Sequence, residues 1–226
     1  MIAVFIIMAL VLIVLPILLG RLSGKSPMEV IFGRRVNDTA FSRGNGEESE
    51  NAGPLQKNST RQELMVLISD LLSYSRRNHF YCFTPGTLEV NGEVASLSAV
   101  IVTRSAVMGF NCFGYGGAVY ADMTADQWRQ VINGQTIRID SPVKRNAHQD
   151  ELLASSLEKI GYGDLKHTVY GVFTAGGVEL KNRSGTQCYT AKEIMGVLGS
   201  DQILRDKGLD PQKIGRLLEQ QTKKSK

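Results

Sequence analysis

The sequence predicts an α/β domain with a central sheet, preceded by one transmembrane helix. Three observations predict it. Residues 1–20, MIAVFIIMALVLIVLPILLG, carry no charge and are almost wholly apolar. Leucines recur at helical spacing at Leu64, Leu67, Leu71 and Leu72, and Leu152, Leu153 and Ile160 line one side of a later helical stretch. Between them, residues 98–113 read as successive apolar strands. Helix, several strands, helix, strand and helix stack as an α/β or α+β sandwich.

The first element is the apolar run. A helix of about 20 residues crosses a bilayer core and satisfies its own backbone amides there. Pro16 bends such a helix without preventing it. Arg21, Lys25, Arg34 and Arg35 follow the run and no basic residue precedes it. This asymmetry predicts a single-pass inner-membrane protein, N-terminus outside and domain in the cytoplasm, with the lipid bilayer as partner of residues 1–20. A cleaved signal peptide, which carries a basic n-region and a shorter apolar run, and a buried core helix are the alternatives.

Residues 21–59 are rich in Gly, Asn, Ser, Arg and Glu and bury too little apolar area to order themselves, so they read as a flexible linker. Residues 60–199 form the domain, and 200–226 an amphipathic C-terminal helix with a basic tail. The net charge of +4, from 26 basic and 22 acidic residues, is mild. It suits an anionic lipid surface as well as nucleic acid. Cys82, Cys112 and Cys188 are far apart with no C-x-x-C pair, which speaks against a disulfide framework and a zinc site.

Within the domain, Ser59 or Thr60 caps a helix to about Ser75, with Gln62 or Glu63 in its first turn. HFYCF (79–83) is a strand ended by Pro85 and Gly86. TLEVNGEVASL folds back at Asn91-Gly92, a strong hairpin signal. SAVIVT, RSAVMGFNCF and GYGGAVYA then form three consecutive strands of one meander. TADQWRQVING is a short turn anchored by Trp128, and QTIRID (135–140) is a short strand. A helix follows over VKRNAHQDELLASSLEKIG, then the strand HTVYGVFTAG (167–176), the brief strand QCYT, a helix at AKEIMGVLG and the terminal helix.

Four places in this order resemble the nuclease-related domain (NERD) family, over roughly residues 60–198. Glu63 lies in the first helix, where that family places a glutamate. Residues 98–117 look like its central hairpin, whose second strand carries a Glu-x-Lys pair. Trp128 follows at the matching interval. SPVKRNAHQDEL (141–152) is similar to its Asn-Pro-x-x-Gln stretch and the histidine-bearing helix after it. The resemblance implies a restriction-endonuclease-like, three-layer core with a central mixed sheet.

The departures fall on the chemistry. The family aspartate corresponds to Ser98, the glutamate to Asn111 and the lysine to Phe113, and Arg145 stands where the glutamine would be. A restriction-type site holds magnesium with carboxylates, and a lysine stabilises charge or orients water. Serine and asparagine offer only neutral oxygens, and phenylalanine cannot replace an ammonium. The implied function is therefore a membrane-anchored binding or assembly module without catalysis or cofactor, with a protein partner at the membrane or nucleic acid. The alternative is a metal-dependent nuclease with relocated ligands, Glu63 and Asp140 holding Mg²⁺. Arg138, Lys144, Arg145 and His148 are the candidate nucleic-acid contacts, and Lys213, Arg216, Lys223, Lys224 and Lys226 form a second basic group. His148 is equally a solvent-facing helix residue. Gly114, Gly116 and Gly117 lack the spacing of a phosphate loop and read as a tight turn.

Overall fold

A computed structural model of the chain describes residues 56–221. The elements in order are α1 (Arg61–Arg77), β1 (Tyr81–Phe83), β2 (Gly86–Val90), β3 (Glu93–Leu97), β4 (Ala99–Val102), β5 (Val107–Phe113), β6 (Ala118–Tyr120), β7 (Gln127–Ile132), β8 (Gln135–Asp140), α2 (Pro142–Lys159), β9 (His167–Phe173), β10 (Glu179–Lys181), β11 (Cys188–Thr190), α3 (Ala191–Leu198), α4 (Asp201–Leu204) and α5 (Pro211–Glu219).

Local chemistry sets the helix starts. The Thr60 hydroxyl accepts the Glu63 N–H, and the Glu63 carboxylate accepts the Thr60 N–H at 2.6 Å. This closes a capping box on α1. Thr190 and Glu193 repeat the device on α3, and Asp210 caps α5 by accepting from Gln212 and Lys213.

The largest sheet has the order β1-β4-β5-β9-β11. β1, β4 and β5 pair antiparallel. β5, β9 and β11 run parallel, with Val107 opposite His167 and Phe113 opposite Phe173. Strand alternation sends neighbours to opposite faces. Leu67 and Leu71 of α1 and Ile194 and Leu198 of α3 pack on Ile101, Met108 and Phe110. Leu153 and Leu157 of α2, Ile214 and Leu218 of α5, and Leu88 and Ala95 of the β2–β3 hairpin pack on Val100, Val107 and Val169. Each such side chain taken from water stabilises the fold by about 1.5–3 kcal/mol.

A second sheet, β10-β6-β7-β8, is separate. Its inner face supplies Val119, Trp128 and Ile139 to a third cluster with Phe113 and Phe173 of the main sheet. β7 and β8 are joined by Asn133-Gly134, both at positive φ (50° and 74°). This is the left-handed pair that a two-residue hairpin turn requires.

Several expectations are corrected here. The architecture of the described residues is an open-sheet α/β domain rather than a restriction-endonuclease-like core. GYGGAVYA does not complete a meander with β4 and β5: after Phe113 the chain leaves the main sheet, and β6 pairs with β7 and β10. TADQWRQVING is no short turn, since residues 127–132 form β7. Among the described residues no helix is long and apolar enough to cross a membrane. The single-pass anchor, the bilayer partner and the inner-membrane location expected from residues 1–20 thus find no support, and those residues lie outside the described ones.

Candidate functional site

An open α/β sheet ordinarily receives its ligand at the C-terminal ends of its parallel strands. Here those ends are Phe113, Phe173 and Thr190, and the chain's own residues 56–60 run beside the first two. Ser59 N–H donates to the Gly114 carbonyl at 2.6 Å. Gly116 N–H and the Gln130 amide both donate to Asn58 Oδ1, at 3.0 and 2.8 Å. Gln130 donates also to the Gly116 carbonyl. The Thr174 hydroxyl donates to Ser59 Oγ, and Asn133 to the Gln56 carbonyl. A Cβ on Gly116 would collide with the Lys57 carbonyl, so this glycine lets two backbones approach and cradles no phosphate.

The residues aligned with nuclease chemistry are used for packing. Ser98 N–H donates to the Phe110 carbonyl, and its hydroxyl accepts the Cys112 N–H. Asn111, buried on β5, meets the Asn146 amide of α2 at 3.2 Å. Gly171 opposite leaves room for that amide, since a Cβ there would come within 2.9 Å of it. Phe113 lies among Phe173, 5.4 Å away, and Tyr115. Trp128 stacks on Phe173 with its indole N–H on the Asp122 carbonyl. Ser98, Asn111 and Phe113 thus do come together at one end of β4 and β5, without a charged group among the three.

Glu63 stands at the α1 N-terminus, where it also accepts the Gly176 N–H at 2.9 Å. Partial burial pushes its carboxyl up. Hydrogen bonds from Thr60, Gly176 and Ser59 outweigh that and hold it below the usual range. Asp140 ends β8 on the surface. Among the described residues no group of three or more His, Cys, Asp or Glu side chains could hold a metal, so the metal-dependent nuclease with Glu63 and Asp140 as ligands is withdrawn. Burial pushes the thiols of Cys82, Cys112 and Cys188 up to about 11, which makes them poor nucleophiles.

The four proposed nucleic-acid contacts have different surroundings. Lys144 is paired with Asp126. Arg145 lies over the Phe113 ring at 5.7 Å. His148 faces Glu93 at 3.6 Å and Glu151 at 4.0 Å, an acidic setting that repels phosphate. Arg138 and Arg145 have no ion-pair partner among the described residues, and Arg138 sits on β8.

β8 is the strand expected at residues 135–140; its place at an open sheet edge, paired with β7, is what the sequence reading did not reveal. It is the longest edge strand of the two larger sheets, and five of its six residues are exposed, Ile137 included. The Ser141 N–H bond to the Asp126 carbonyl and the tight turn opposite Ile132 and Gln135 set the phase of the ladder. Residues 135, 137, 139 and 141 turn their backbone groups to β7. Thr136, Arg138 and Asp140 therefore turn theirs outward. Arg138 also stands directly opposite Arg129, a like-charged cross-strand neighbour that lies over Tyr120 at 4.1 Å. Neither Arg138 nor Asp140 has an ion-pair partner among the described residues.

The main sheet treats its own open edge differently. β11 covers β9 only at residues 171–173. Beside the uncovered part, Asp150 of α2 lies near the Val169 N–H and faces His167 at 3.8 Å. The signal for the β7–β8 hairpin was present as a second Asn-Gly, at 133–134, between WRQVI and QTIRID. Comparison with known proteins gives the chain no family: no protein-family model, no curated protein and no solved structure matches it, and the resemblance to the nuclease-related domain is corrected accordingly.

Proposed function

We propose that this domain works by strand pairing through the outer edge of β8. The observation that carries this reading is the row of outward backbone groups at Thr136, Arg138 and Asp140, flanked by exposed Ile137. An unpaired edge of this length is a template for another strand, and proteins that do not use one cover or break it. Asp150 lies beside the β9 edge; β8 has no proline, and among the described residues no strand pairs with its outer edge. The ends of the parallel strands support the same reading, because their polar groups are bonded to residues 56–60 and to one another.

A photoreactive side chain at position 137 of the full-length chain, in its own cells, tests this. A crosslinked adduct is expected that disappears when Thr136→Pro is added. Proline there removes one outward N–H and leaves the β7 ladder intact. An adduct equally abundant with the proline, or no adduct, would overturn strand pairing.

A further inference from the structure

Resting on the reading of β8 as a pairing edge, we infer that its partner is β8 of a second copy, joined antiparallel about a two-fold axis at Ile139. Register and charge select this pairing. Only residues with outward backbone groups can exchange hydrogen bonds across a new antiparallel pair, and these are Thr136, Arg138 and Asp140. Centres on Thr136 or Asp140 oppose each residue to its own copy and make a single such pair, which leaves three centres that make two or more. Centring on Arg138 sets two guanidinium groups against each other and adds to the repulsion from Arg129. Centring on Ile137 puts Arg138 opposite Thr136 and leaves Asp140 without a partner. Centring on Ile139 puts Arg138 opposite Asp140 of the other copy, twice.

That register pairs both charges of the strand and leaves Thr136 opposite Pro142, at the start of α2. Arg138 and Asp140 are two residues apart and so share a face. They carry opposite charge, and each lacks an ion pair among the described residues. A second carboxylate beside Arg138 also offsets the field of Arg129, 4.1 Å above the Tyr120 ring and directly across from Arg138. On the other face the two Ile139 residues flank the axis in a non-hydrogen-bonded pair, each side chain largely held in its own cluster at 6% exposure. Ile137, 42% exposed, becomes the diagonal neighbour of the opposite Ile139. The result is an isologous dimer with one continuous eight-stranded sheet. A contact of about five residues per chain is far smaller than a standard interface, so the dimer forms in the micromolar range or weaker.

Sedimentation equilibrium of the full-length chain over a hundredfold concentration range tests the register through a charge swap. The parent is expected to approach twice the chain mass at high concentration. Arg138→Asp alone opposes Asp to Asp, and Asp140→Arg alone opposes Arg to Arg, so each remains monomeric. An equimolar mixture of the two makes every pair complementary and recovers the doubled mass, which also shows both variants to be folded. If both variants associate like the parent, or the mixture stays monomeric, the register is wrong. If Thr136→Pro dissociates the parent while the charge variants do not, the Ile139-centred copy falls and pairing through β8 stands. A parent that is monomeric throughout, yet gives a proline-sensitive adduct at position 137, likewise rejects the second copy and keeps the pairing edge. No adduct and no association removes both.

Discussion

The strand ends around Gly116 and the outer edge of β8 are joined through the β7–β8 hairpin, yet they handle polar groups in opposite ways. At the strand ends, Asn58, Ser59, Gln130, Thr174 and the Gly114 and Gly116 backbones form a network whose members bond one another. On β8, three backbone positions and two charges face outward. Buried polar groups must be paired inside the molecule, because an unmet one costs about 1–3 kcal/mol. Edge groups are met by water at no such cost and remain available. The place where an α/β sheet commonly binds ligands has thus become part of the scaffold, and the surface open to a partner is a strand edge.

The largest test of this contrast is Gly116→Ala. Its new Cβ must push residues 56–58 off the turn, and a loss of about 3 kcal/mol or more is expected in urea unfolding. A loss below about 1 kcal/mol would mean that the segment is not tightly seated. Asn58→Ala comes next. It deprives the Gly116 N–H and the Gln130 amide of their shared acceptor, at an expected cost of about 1–3 kcal/mol. A titration sharpens the same region. Because the Glu63 carboxyl lies below its ordinary value of 4.5, its contribution is complete above that pH and is lost as pH falls through the lower folded value. Glu63→Gln should therefore flatten stability against pH below 4.5 and leave its shape at neutral pH unchanged; an acid limb identical to the parent's would count against the capping role. The smallest effect belongs to the edge. Thr136→Pro should shift monomer stability by no more than about 0.5 kcal/mol, and a larger loss would mean that its N–H serves β7 after all.

What the sequence made legible follows from where hydrophobic periodicity and polar chemistry agree. In α1 they agree: the leucines share a face and Thr60 and Glu63 form the cap, so the helix is readable from both. β9 is readable as a continuous apolar run. β7 is not, because its buried face reads Trp128, Gln130, Ile132, and a glutamine in the middle looks like a surface residue. Only the structure shows that Gln130 is buried because Asn58 and the Gly116 carbonyl satisfy it. Residues 56–60 were hidden for the same reason. Their composition is that of a linker, and they are held by hydrogen bonds to a glycine turn, which leave no apolar signature. The positions aligned with a nuclease site were legible as departures; that Asn111 meets Asn146, a residue 35 places away, was not.

Trp128 has a consequence of a different kind. It is the single tryptophan of the chain, 2% exposed, stacked nearly parallel to Phe173 with ring centres 6.4 Å apart, at the junction of the two sheets. Intrinsic fluorescence excited at the indole therefore arises from one site. Its emission belongs at the short-wavelength end for a shielded ring, and a shift to the red would time the parting of the hairpin sheet from the main sheet separately from the melting of the helices seen by circular dichroism. The molecule carries its own optical probe of the joint between its scaffold and its pairing edge.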